Sequence, residues 1–148
     1  MSLSKLAVRR LTKLADYMDA LPPEARRHFD MTHWLGHGRK HTLEQHGFKS
    51  GQPIRSAESL LSCGTSACAA GWASTIPSFR RLGFRIEVDL DDPFGGKPVY
   101  CGLEENQALS RFFDIQRESV NELFGYDVKA HTPKQWAKHC RRFLRDNA

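Results

Sequence analysis

The sequence predicts a small, mainly α-helical protein of one domain, residues 1–148, with a single β-hairpin at about residues 84–100. Three features point there. Apolar residues recur at helical spacing at both ends of the chain, and one short stretch alone alternates apolar and polar residues at the period of a half-buried strand. A chain of 148 residues is also long enough to bury a core without disulfide staples.

Leu3, Leu6, Ala7, Leu11, Leu14, Met18 and Leu21 form the apolar stripe of a first helix, which Pro22-Pro23 stops. A short helical turn after Pro23 leads to Phe29, Met31 and Trp34, read as core anchors joined by a loop. Residues 36–53 are rich in Gly, His, Lys and Gln without apolar periodicity, and are read as a flexible loop or one ordered by contacts elsewhere. Ala57, Leu60 and Leu61 suit a helical turn. Thr65 or Ser66 is the expected cap of a helix through Trp72 towards Ile76, with Pro77 starting a continuation that Gly83 ends.

Phe84, Ile86, Val88 and Leu90 alternate with Arg85, Glu87 and Asp89, so they read as a strand. Asp91 to Gly96 is the turn, and Pro98-Val99-Tyr100 the return strand. Helices are expected over Leu103–Phe113 and Glu118–Phe124, broken near Asp114. Thr132-Pro133-Lys134-Gln135 combines a Thr cap, a first-turn Pro and a capping-box Gln, and so opens a final helix that buries Trp136, Cys140, Phe143 and Leu144.

The net charge is +5, yet its distribution is uneven. Residues 1–86 carry 13 basic and 6 acidic side chains, residues 87–127 carry 3 and 10, and residues 128–148 carry 6 and 1. Such a chain can be internally complementary, so its basicity alone is weak evidence for a polyanionic partner. With no run of 18 apolar residues and no apolar h-region near Ser2–Arg10, the expectation is a cytoplasmic protein without a membrane-spanning helix. In that compartment Cys63, Cys68, Cys101 and Cys140 are expected as free thiols.

The stretch SCGTSACAAGWAS, residues 62–74, carries the most chemistry. Cys68, in the first turn of a helix capped by Thr65, is a candidate nucleophile with Cys63 as a second, served by a histidine base from residues 28–46. Cys63 and Cys68 with two of His28, His33, His37, His41 and His46 would make a structural zinc site, although C-x4-C is at the edge of familiar ligand spacings. Thr65 and Ser66 at a small-residue helix start would also suit an anion. No Walker lysine or GxGxxG follows, and no cofactor is expected. The simplest reading is that the run of Ala and Gly permits close packing, with inert thiols filling gaps.

The helix faces offer a separate anion-binding set. Lys134, Lys138, Arg141 and Arg145 recur at helical spacing with Arg142 beside them, and Lys5 and Arg9 lead a matching stripe on the first helix.

FDMTHW (29–34), CGTSACAAGWA (63–73), ALSRFFDI (108–115) and NELFGYD (121–127) together resemble a family of small phage and bacterial proteins in which Phe-Asp-Met precedes a Cys-Gly-Thr-x-x-Cys helix and a later Leu-Phe-Gly. The resemblance implies a stand-alone, often virus-linked cytosolic domain and attaches no activity to it; if the chain is phage-borne, and so in a bacterial host cell, interference with a host process such as defence is the expected role. It implies no catalytic residues. The expected function is therefore non-enzymatic binding of a nucleic acid, nucleotide or acidic protein surface through basic helices; the alternatives are a thiol enzyme and a structural zinc domain.

Overall fold

Two helices far apart in sequence lie side by side in antiparallel sense. The computed structural model describes residues 2–32, 34–35, 44–45, 47–61, 66–92 and 95–148. Helix α1 (Lys5–Asp19) begins at Ser4, whose hydroxyl accepts the Ala7 amide at 3.0 Å, and it buries Ala7, Leu11, Leu14, Ala15 and Met18. The final helix of the chain, Pro133–Asp146, buries Trp136, Ala137, Cys140 and Phe143. Leu3 N donates to Asn147 O at 3.1 Å at one end, and Lys134 Nζ donates to Asp19 O at 2.8 Å at the other. Those two contacts fix the antiparallel sense.

After α1 the chain makes a 3-10 turn, Pro23–His28. Helix α2 (Ala57–Leu60) is capped by Ser56. Helix α3 (Ala69–Ala73) is shorter than the sequence suggests and starts later. Ala67, expected inside the helix, is extended instead: its N–H donates to His28 O at 2.9 Å and its carbonyl accepts Asp30 N–H at 3.0 Å, forming a parallel bridge with Phe29. A residue whose two backbone groups are engaged across the fold cannot also close a helical turn. The Trp72 indole completes the junction by donating to His28 O at 3.0 Å.

The small residues of α3 have a steric explanation. A Cβ on Gly71 would lie 2.4 Å from the Trp34 carbonyl oxygen and 2.6 Å from Ala67 Cβ. On the other side of the same segment, a Cβ on Gly95 would lie 1.9 Å from the Leu35 carbonyl oxygen. The 34–35 backbone is thus held between α3 and the turn before the sheet's second strand.

Helix α4 (Pro77–Arg81) follows, and Gly83 ends it at φ +96°. Strand β1 (Arg85–Val88) pairs antiparallel with β2 (Gly96–Tyr100), Ile86 opposite Pro98. Phe84, Ile86 and Val88 are buried, as the alternation predicts. The expected hairpin has a third strand, β3 (Leu103–Glu104), because Leu103 pairs with Tyr100 rather than entering the next helix. The outer edge of β1 is covered by residues 51–54: Gly51 N donates to Val88 O, Val88 N to Gln52 O and Ile54 N to Ile86 O. Part of the stretch read as a loop is therefore paired to the sheet, with Phe48 buried at its start; residues 36–43 and 46 lie outside the described residues.

Helices α5 (Glu105–Phe113) and α6 (Arg117–Phe124) are separated by Asp114 in the left-handed conformation. Helix α7 (Pro133–Asp146) is capped as expected, Thr132 Oγ1 accepting Gln135 N–H at 3.1 Å, while the Gln135 side chain reaches back to accept the His131 amide at 2.7 Å. A run of aromatic contacts joins these parts. Phe84 stacks on Phe112 at 4.6 Å, Phe113 on Phe124 at 5.1 Å, and Phe124 meets Trp136 at 5.7 Å. No helix among the described residues is long and apolar enough to cross a membrane.

Gly71→Ala should destabilise the fold by about 1–3 kcal/mol, the usual cost of overpacking, since the obstructing atom is backbone. Urea unfolding would register this as a lower midpoint at unchanged slope.

Candidate functional site

Helix α3 places Cys68 at its N-cap rather than in its first turn. The side chain is 1% exposed, and burial pushes the thiol up to about 11, against a smaller downward pull from the Gly71 and Ala70 amides; the Asp30 carboxylate raises it further. An activated cysteine requires the opposite shift. Cys140 is likewise buried and pushed up to about 12, its Sγ 3.7 Å from Leu11 O, whereas Cys101 is exposed. Cys63 and Thr65 lie outside the described residues. So do His33, His37, His41 and His46, which leaves buried His28 as the described member of the histidine set. Among the described residues no group of three metal-ligating side chains comes together.

Ser66 does not cap a helix. It sits just before the bridge residue Ala67, 6% exposed, with no hydrogen-bond partner for its hydroxyl among the described residues. Of the anion seat expected at a Thr65-Ser66 helix start, Ser66 lies before the Cys68 N-cap, and Thr65 lies outside the described residues. Cys68 does border a cavity of about 270 Å³, together with Met31, Trp34, Glu105 and Asn121. Sequence patterns alone carry no sign of this cavity, since its walls come from five separate segments.

The basic residues divide into two groups. Lys134 Nζ pairs with Asp19 at 3.1 Å, and Arg141 bridges Asp16 at 2.9 Å and Asp19 at 3.1 Å. These contacts hold the Asp19 carboxyl below its ordinary range, Lys134 contributing most and Arg141 next. The acids that neutralise these two cations therefore come from α1, not from the acidic central region.

Lys5, Arg9, Lys138 and Arg145 are exposed and form no ion pair among the described residues. Spacings of four, three, four and three residues put Lys5, Arg9, Thr12, Asp16 and Asp19 on one stripe of α1. Because α7 runs antiparallel, Arg145 lies at the Lys5–Arg9 end. Lys138 borders an open groove between α6 and α7, lined also by Lys129, Arg142, Glu122 and Asp127. Lys129 is the cation that the periodic stripes leave out, because it precedes the helix. Arg10 is engaged elsewhere, with its guanidinium 4.3 Å over the Phe112 ring and donating to the Phe112 carbonyl.

Alkylation of the native protein, mapped by mass spectrometry, should modify Cys101 at the rate of an exposed thiol. Cys68 and Cys140 should react only under unfolding conditions, with no ionisation step for Cys68 between about pH 6 and 9. Comparison of the chain with protein-family models, curated proteins and solved structures gives no match in any of the three.

Proposed function

We propose that the protein is a non-enzymatic binding protein that engages a polyanion, with a nucleic-acid backbone as the leading partner, across α7 and the adjoining half of α1. One observation carries this reading: acids on α1 neutralise Lys134 and Arg141, while Lys5, Arg9, Arg145, Lys138, Arg142 and Lys129 flank α7 without ion pairs among the described residues. Exposed cations of that kind attract phosphates and release counterions when they bind them. The buried, protonated Cys68 gives the thiol-enzyme reading no support. If the chain is phage-borne, as the resemblance to small phage and bacterial proteins implies, binding of this kind serves interference with a host process such as defence, in the bacterial cytoplasm.

Labelled duplex DNA, single-stranded DNA and RNA titrated across a salt series provide the test. Four or more neutralised phosphates should give a log–log salt slope steeper than about −3, and Arg9→Ala/Arg145→Ala should make it shallower by about 2. Absence of binding at low salt, or binding indifferent to salt, would remove the polyanion reading.

A further inference from the structure

The cavity beside Cys68 has a chemistry that polyanion binding does not use. Its volume is about 270 Å³, and its lining residues include the aromatic Trp34, Phe124 and Tyr126 with the polar Glu105, Asn106 and Asn121. Tyr126 is 79% exposed, so a large ring stands at the protein surface rather than in the core. Asp92 adds a second carboxylate to the lining, and among the described lining residues there is no Lys, Arg or His. Lys97, on the neighbouring strand, is held by Glu104 at 2.9 Å, and Glu105 attracts it more weakly from a distance. Glu105 opens α5 at φ +55°, a backbone region uncommon for a residue with a Cβ, so its position is set by the β3–α5 junction and not by helix propensity.

An anion would meet like charge here, and a purely apolar group would make no use of the Glu105 carboxylate and the two amides at the cavity's exposed rim. A planar cation on an apolar stem satisfies each part of the lining. Aromatic faces attract it, a carboxylate takes a charge-assisted hydrogen bond, and asparagine carbonyls accept its remaining donors. A guanidinium suits this better than an ammonium, because its five donors lie in one plane and it stacks on rings. We infer that this cavity binds an alkylguanidinium group, free or as an arginine side chain, between Trp34 and Tyr126, with Glu105 as its counter-charge and Asn106 and Asn121 as acceptors. The inference is independent of the polyanion surface, and either can fail alone.

The test uses the full ¹⁵N-labelled chain, titrated with agmatine, with n-butylguanidinium and its neutral isostere N-butylurea, and with a capped Ala-Arg-Ala peptide. Agmatine or the peptide should shift the Asn106 and Asn121 side-chain amides and the Trp34 indole saturably, leaving the buried Trp72 and Trp136 indoles in place. N-butylurea should bind at least about tenfold more weakly than n-butylguanidinium, and Glu105→Gln should weaken guanidinium binding by about tenfold. Tighter binding of the peptide assigns an arginine side chain as the ligand, and tighter binding of agmatine a free cation; both uphold the inference. No saturation by about 10 mM, equal binding of N-butylurea, or undiminished binding to Glu105→Gln would overturn it. Should Glu105→Gln fail to fold, Asn121→Ala decides the matter, and undiminished binding there overturns the inference equally.

Discussion

The other elements of the fold are arranged around the packing of α1 against α7. This contact joins the two ends of the chain through Leu3 and Asn147, buries Leu11 against Cys140, and carries the aromatic core forward from Trp136. The Trp136 indole is itself anchored to the Leu123 carbonyl at 2.8 Å, so α6 is tied to the same pair. Hydrophobic burial supplies the driving force. The exposed ion pairs at the Asp19 end contribute little by comparison, but they decide which cations stay available at the surface.

A second junction, at Trp72, organises the remainder. The His28 carbonyl accepts both the Ala67 amide and the Trp72 indole, which draws the 28–35 segment across α3. Gly71 and Gly95 leave room for that segment's backbone on its two sides. Here Gly71, among the small residues after Cys68, finds its explanation: it admits another stretch of main chain. The thiol is enclosed as a consequence, and its neighbouring cavity takes its polar character from α5 and α6 instead.

Much of this was legible in the sequence wherever one periodic stripe met one face of the core. Helices α1 and α7, the alternation of β1 and the break at Asp114 are of that kind. The start of α3 was not legible, because Ser66 is a good cap locally and the pairing of Ala67 with Phe29 overrides it. Strand β3 was missed for a similar reason: two residues beside a helix start carry no period of their own. For the candidate site, residue type identified the basic faces but could not separate paired from unpaired cations. Lys134 and Arg141 find their acids 115 and 122 residues away, a distance at which only the fold brings charges together.

Sorting the cations in this way makes Asp16 and Asp19 regulators of surface charge more than of stability. The affinity of Asp16→Asn/Asp19→Asn for labelled duplex DNA, followed across a salt series, reads that role without intermediaries. Releasing Lys134 and Arg141 should tighten binding several-fold at low salt and steepen the log–log slope by about 2, with folding little changed. Unchanged or weaker binding by the folded variant would contradict it.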